Sequence, residues 1–330
     1  MRIKLSQIAA TLKYPPSLFV CAASFEDRCK IVAEHLDPRY THKVLIFENT
    51  DYAEHIEKNA VAIKNHFRAN VQRVPIRTDD PLKVADKFRD ELVPSINETS
   101  GLCLVDVTTF THEQLLILIR LLIDATPQAD LKFIYNHASA YSTNTDPDSF
   151  WLSKGVAKIR SVLGFPGEML PSRKNHLLVL TGYEYERAEK LISRLEPNLI
   201  SLGLGRKDSH GKNLTEHERN KILNNYLESF VEELSVSITS VRRFEFSTSD
   251  PVTARDDILR QCKQFAPYNV LVAPMNTKLS TIGAGLAAVW HPQIQLTYAL
   301  PITYNLKGYS VPSDTCTLFD LSHYLQVTQS

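Results

Sequence analysis

"NVLVAPMNTKLSTIGAGLAAVW", residues 269–290, decides the fold. An unbroken apolar run, Val270 to Ala273, stops at Pro274. Three polar residues follow (Asn276, Thr277, Lys278), and then a stretch rich in small residues (Gly283, Ala284, Gly285, Ala287, Ala288) with helical spacing. An apolar run without alternation marks a strand covered on both faces, as in a parallel sheet. Strand, polar turn and helix in one passage form the unit from which such sheets are wound.

The same punctuation occurs twice along the chain. "LCLVDVTTFTHEQL" (102–115) falls against 269–282. "VCAASFEDRCKIVAEHL" (20–36) lies 159 positions before "VLTGYEYERAEKLISRL" (179–195), pairing Val20 with Val179, Asp27 with Glu186, Arg28 with Arg187 and Leu36 with Leu195. "EKN" (57–59) matches "ERN" (218–220), and "RTDDPL" (77–82) matches "STSDPV" (247–252). In both of the latter an aspartate followed by a proline opens a helix, the aspartate as N-cap and the proline in the first turn. "YNHASAYS" (135–142) falls against "YALPITYNLKGYS" (298–310). Five matched segments in one order point to an internal duplication.

Within the first copy the pattern predicts strands at 18–23, 43–47, 71–76, 101–106 and 131–135. Helices are predicted at 27–36, 52–68, 80–93 and 111–125, and the second copy repeats the series from 177 to 299. The expected fold class is therefore α/β: two tandem doubly wound Rossmann-like units with parallel sheets, arising by internal duplication. Unit one is expected over 1–153 and unit two over 177–330. The Gly-, Pro- and charge-bearing stretch 154–176 reads as the linker. The tail after 310 resembles 143–152 in composition, and each is expected to cover the end of its own sheet.

With 330 residues, 43% apolar and 22% charged, the chain can bury real cores. Lys+Arg equals Asp+Glu at 37 each, which argues against general nucleic-acid binding. "LLILIRLLI" (115–123) is too short to span a bilayer, and "MRIKLSQIAATLKY" lacks the apolar core of a signal peptide, so a cytoplasmic protein without membrane partners is expected. Five cysteines without a C-x-x-C pair read as buried reduced thiols.

In an open parallel sheet ligands gather outside the carboxyl ends of the strands. After the first strand these positions hold Ser24, Glu26, Asp27 and Arg28; after the fourth, Asp106, Thr108, Thr109, Thr111 and His112. The second copy offers Thr181, Glu184, Glu186 and Arg187, then Asn276, Thr277, Lys278 and Ser280. A helix N-terminus with a lysine beside it suits an anion such as phosphate, although Thr277 as a plain helix cap with a solvated Lys278 reads the same residues. Asp27 and Glu186 need no more than the helix dipole to explain them. The expected ligand contacts are Asn276, Thr277, Lys278, Ser280, Arg187, Arg28, Thr108 and Thr111.

Catalytic candidates are weaker: Asp106, Glu26 or Glu184 as a carboxylate, His112 as an acid, or a Cys29–His112 pair. The loop "LGLGRKDSHGKN" (202–213) fails the P-loop pattern, because five residues separate Gly205 from Gly211 and Asn213 follows Lys212. It reads as a basic loop, either closing over a ligand or lying on the surface. No histidine pair has metal spacing, and His210 and His217 read as solvated, so no metal site is expected. There is no G-x-S-x-G elbow. Tyr141-Ser142 and Tyr309-Ser310 either line the mouth or pack.

The strand, Asn-Thr-Lys and small-residue helix at 272–289 resemble the late strand–loop–helix of CARF domains, the CRISPR-associated Rossmann folds, where a Thr-Lys pair follows a strand. Pro274-Met275-Asn276 stands where that family usually has a doubled glycine, and the first copy has Thr111 in place of the lysine. The resemblance implies a cyclic oligonucleotide or related nucleotide held between two related units, in a prokaryotic antiviral defence system with a protein partner.

Three functions follow from the sequence. The first is a nucleotide or phosphorylated-ligand binding and sensing protein. It has no obligate cofactor, and a bound nucleotide is the one non-protein group expected. The second is a nucleotide-processing hydrolase or glycosidase. The third is a non-catalytic scaffold that binds a protein partner.

Overall fold

The computed structural model describes the chain except residues 68–69, 126–128, 142–150, 207–224, 231, 233–239, 307–308, 322–323 and 325–330. The chain divides into two compact units, Met1–Phe150 with Asn305–Ser330, and Trp151–Tyr304.

The first unit is built on β1 (Arg2–Lys4), β2 (Leu18–Ala23), β3 (Lys43–Asn49), β4 (Val71–Ile76), β5 (Cys103–Asp106), β6 (Leu131–Tyr141) and, from the far end of the chain, β15 (Ser310–Asp320). Their order across the sheet is β1-β15-β6-β5-β2-β3-β4. β2 to β6 run parallel, β15 runs antiparallel to β6, and β1 antiparallel to β15. The helices are α1 (Ile8–Leu12), α2 (Arg28–Glu34), α3 (Ala53–Phe67), α4 (Pro81–Lys87), α5 (Val93–Asn97) and α6 (His112–Ala125).

All six residues of β2 are buried. Phe19 and Cys21 join one core with Cys29, Val32 and Ile63. On β3, Phe47 meets Phe88 with ring centroids 4.9 Å apart, and Phe88 meets Phe110 at 5.9 Å. Burial of every strand residue is what removes the alternation from the sequence. The helix expected over 80–93 starts as read: the Asp80 carboxylate accepts the Lys83 N–H at 3.1 Å, with Pro81 in the first turn. It then passes through a π turn, Phe88–Leu92, into α5. Pro94, in the first turn of α5, has no N–H to continue the regular ladder, which accounts for the irregularity.

The second unit comprises β7 (Ser153–Lys154), β8 (Lys158–Pro166), β9 (Asn175–Leu180), α7 (Tyr185–Leu195), β10 (Leu199–Gly205), β11 (Ser240–Phe246), α8 (Pro251–Gln264), β12 (Asn269–Pro274), α9 (Lys278–Trp290), β13 (Gln295–Leu300) and β14 (Thr303–Tyr304). Its main sheet has the order β11-β10-β9-β12-β13-β8, and β7 and β14 form a small separate pair. β9 to β13 are parallel and β8 is antiparallel to β13. Counting parallel strands along the chain, both sheets read third, second, first, fourth, fifth, and so reverse direction between first and fourth. The α/β class with two Rossmann-like units is thus seen directly.

The small residues of α9 have a specific neighbour. A Cβ on Gly283 would stand 2.6 Å from the Ala254 Cβ and 2.7 Å from the Pro251 carbonyl oxygen, so the glycine admits α8 rather than only the sheet.

Two expectations about the connections are corrected. The stretch 154–176 is not a free linker, because it contains β8, which pairs along β13 from Lys158↔Leu300 to Pro166↔Gln295. The tail after 310 does not cover the second sheet; β15 lies between β6 and β1 in the first. The reason is chemical as well as topological. Cys316 and Leu318 are buried there, and Phe319 stacks on Phe133 with centroids 5.6 Å apart. The first parallel sheet would otherwise end at β6 with unpaired backbone.

Ending the chain at Tyr304 removes β15. Amides of β6 should then lose most of their protection in hydrogen exchange, while amides of β12 keep theirs. Unchanged protection of β6 would show that β15 does not hold that edge.

Candidate functional site

The first and fourth parallel strands lie side by side where the winding reverses, and at this carboxyl edge each unit places a buried arginine. In the first unit Asp27 precedes α2 and Arg28 opens it, only 2% exposed. The Arg28 Nη2 donates to Glu26 Oε2 at 2.8 Å and Nη1 to the Asn136 carbonyl on β6 at 3.1 Å. Its Nε donates to Ser310 Oγ at 2.9 Å, and the Ser310 hydroxyl in turn donates to Glu26. The guanidinium lies 5.4 Å from the Tyr141 ring centre and 6.0 Å from that of Tyr135.

The second unit repeats the arrangement. Arg187 of α7, 3% exposed, pairs with Glu184 and donates from Nη2 to the Ala299 carbonyl on β13. Ser153 Oγ donates to Glu184, and the Tyr298 ring centre is 5.3 Å from the guanidinium. Each arginine therefore ties a helix start to the fifth strand, and each glutamate receives a hydroxyl from the serine that opens another strand, β15 or β7.

The fourth strand leads into a second helix start. In the first unit the Thr111 Oγ1 accepts the Gln114 N–H at 3.2 Å, and Gln114 Oε1 accepts the Thr111 N–H at 3.0 Å, a capping box. In the second, Thr277 Oγ1 accepts the Ser280 N–H at 3.2 Å and donates to the Thr248 carbonyl at 2.7 Å. The two strand ends are bridged in both units. Thr109 Oγ1 donates to the Ala22 carbonyl at 2.6 Å, and Asn276 Nδ2 donates to the Thr181 carbonyl. Gly182 makes the second bridge possible, since a Cβ there would be 2.1 Å from the Met275 carbonyl oxygen. Lys278 is the first residue of α9, half-buried at the carboxyl edge of β12.

Asp106, at the end of β5, is 2% exposed. Its Oδ1 accepts the Thr108 N–H at 3.0 Å and the Thr108 hydroxyl, while Oδ2 is buried with no hydrogen-bond partner among the described residues. The Thr108 hydroxyl also accepts the Asn136 N–H at 2.9 Å. Burial pushes the Asp106 carboxyl up to about 7, against the opposing pull of the Thr108 bonds and the Arg28 charge. The second unit has no matching acid, for β12 ends in Pro274.

The structure sorts the expected residues. Arg28, Arg187, Thr108 and Ser280 are buried and hydrogen-bonded inside the protein. Asn276, Thr277 and Thr111 are half-buried, with side chains engaged in the turns just described, and Lys278 stands beside them. Glu26 and Glu184 are each held by an arginine and a serine. Cys29 is buried, burial pushes its thiol up to about 12, and its Sγ donates to the Ser24 carbonyl at 3.6 Å, conditions that disfavour the thiolate a Cys29–His112 pair would need. Asp106 is bonded to Thr108.

Residues 207–213 of the basic loop, with His210 and His217, lie outside the described residues. Arg206, just after β10, is tied to Asp257 of α8 at 2.9 Å. Sequence reasoning overlooked Ser153, Asn136, Tyr135, Tyr298 and Asp257. Only the repeated tyrosine before each fifth-strand contact, Tyr135 and Tyr298, left a signal in the repeat. Among the described residues no group of three or more His, Cys, Asp or Glu side chains could hold a metal ion. No helix among them is long and apolar enough to cross a membrane.

Two outcomes follow. Glu26→Gln leaves the Arg28 charge buried without its carboxylate and should lower stability by about 3–5 kcal/mol in denaturant titration; a loss near zero would show the ion pair to be dispensable. The Asp106 carboxyl holds its proton more tightly folded than unfolded. Its contribution to stability is therefore complete below the ordinary carboxylate range and is lost as pH rises through about 7. The melting temperature of the first unit should fall from pH 5 to pH 8, and Asp106→Asn should flatten that slope. An unchanged slope would contradict the assignment.

No family model matches the chain, and no curated protein matches it. One solved structure, the N-domain of a bacterial malonyl-CoA reductase with NADP, aligns at 10% identity over 79% of this chain and 73% of that one, with a TM-score of 0.23. The NADP belongs to that protein, and so low a score carries no argument about the fold or ligand of this chain.

Proposed function

We propose that the protein binds a nucleotide or another phosphorylated small molecule at the carboxyl edge of its parallel strands, and acts as a sensor rather than an enzyme. The observation that carries this reading is Lys278, half-buried at the start of the thirteen-residue helix α9, beside the point where the sheet reverses its winding. A helix N-terminus there favours negative charge by about 0.3–1 kcal/mol, rising to about 2 kcal/mol when partly buried, and a lysine adds a point charge suited to phosphate.

The state of the carboxylates favours binding over hydrolysis. Glu26 and Glu184 are engaged with arginine and serine, and Asp106 is buried. A general base must reach the proton it removes. The CARF-like resemblance and a role in antiviral defence with a protein partner belong to the same proposal and rest on the Asn276–Lys278 passage. Descent by tandem duplication is part of it too, supported by the common strand order and the recurring Arg–Glu–Ser arrangement.

Native mass spectrometry of freshly purified protein should show a retained nucleotide. A nucleotide panel including cyclic oligonucleotides should raise the melting point, by a gain of about 2.7 kcal/mol at 100 times the dissociation constant. Lys278→Glu should weaken that binding. No shift with any member of the panel would overturn the proposal, and turnover that disappears in Asp106→Asn would replace it with the hydrolase reading.

A further inference from the structure

Helix α7 and the edge strand β8 flank an open groove of about 570 Å³ in the second unit. Lys158, Ile159 and Arg160 line it from β8, and Lys190, Ser193 and Arg194 from α7. Four of its residues are cationic and none is acidic. Lys158, Lys190 and Arg194 are exposed and take part in no ion pair with a described carboxylate. Elsewhere in the same unit Arg187, Arg206 and Arg243 each rest on a carboxylate, whereas, among the described residues, Arg173 and Arg242 are exposed single cations.

Ordinary structural causes explain only part of this cluster. Charges on an edge strand deter pairing with other chains, which accounts for Lys158 and Arg160. A cation in the last turn suits the helix dipole, which accounts for Arg194. Neither accounts for Lys190, four residues before Arg194 on the same face, where like charges repel. Neither explains why the helix turns these cations toward the basic stretch of β8. The floor is fixed, because Val156 and Ile159 pack against the core that α7 covers. The result is an apolar-floored trough with positive walls and a serine hydroxyl between them.

We propose that this groove binds a compact polyanion with clustered phosphates, of the nucleoside polyphosphate class. The site is separate from the strand-end rim, since none of the rim residues lines it. Lysine ammonium groups act as point charges for phosphate, and arginine adds two-pronged hydrogen bonding. The volume lies within the ~300–1,000 Å³ usual for small-ligand sites and argues for a compact anion rather than a long polymer. Release of bound counterions makes such an interaction salt-dependent.

Calorimetric titration of the full chain with inorganic tripolyphosphate, at low salt and again near physiological salt, tests this. One saturable site is expected, weakening as salt rises and binding tripolyphosphate more tightly than sulfate. The double variant Lys190→Glu with Arg194→Glu, two exposed positions, should keep the wild-type circular dichroism and lose at least tenfold in affinity. Lys278→Glu reports on the rim separately: if it alone abolishes tripolyphosphate binding while the groove variant binds normally, the phosphate site is the rim and the proposal falls. Equal affinity in wild type and double variant, or equal affinity for sulfate, overturns it as well. A single-stranded RNA that binds the groove far more tightly than tripolyphosphate would replace the small polyanion with a nucleic acid.

Discussion

Burying a guanidinium away from water is costly unless its charge is paired, and that constraint organises both units. Arg28 and Arg187 sit almost wholly out of water at the start of the first helix after the first parallel strand. Each needs a carboxylate, a backbone carbonyl and aromatic faces around it. Supplying them draws together a loop, the fifth strand and, through one serine, a remote piece of chain. Ser310 reaches Glu26 across 284 positions of sequence, and Ser153 reaches Glu184 across 31. The carboxyl edge of each sheet is thereby held rigid, which is the condition for any recognition surface built on it.

The rigidity has a consequence for chemistry. Side chains that look catalytic in a one-dimensional reading are the ones that fasten the edge. Glu26 and Glu184 neutralise arginines, Thr108 spends its hydroxyl on Asp106, and Thr111 and Thr277 cap helices. Away from these edges, Lys158, Lys190 and Arg194 are exposed cations along α7 and β8. The acids at these strand ends are spent on pairing inside the protein. Asp106 is the exception, poised near neutral pH and confined to one unit, where it makes the core of that unit sensitive to protonation.

The fold class was legible because burial on both faces writes itself into β2, β5, β9 and β12 as uninterrupted apolar runs. Helix starts were legible for the same local reason: Asp80-Pro81, Asp250-Pro251, Thr111 and Thr277 cap helices through contacts three residues away. The outer strands were not. β8 carries Lys158 and Arg160 among its apolar residues and reads as linker, and β15 reads as a polar tail. β8 stands at an edge with one paired side, and β15 is flanked on its outer side only by the three residues of β1, so neither composition is forced.

The sequence by itself determined two wound α/β units and the place where polar loops gather. These depend on hydrophobic burial and on capping, both of which act over a few residues. Tertiary structure alone decided which sheet receives β8 and β15, which acids face arginines, that the Asp106 carboxyl is sealed from water, and that α7 and β8 share a basic groove. Those outcomes depend on contacts between distant segments, where charge pairing and desolvation are set by neighbours that linear spacing does not reveal.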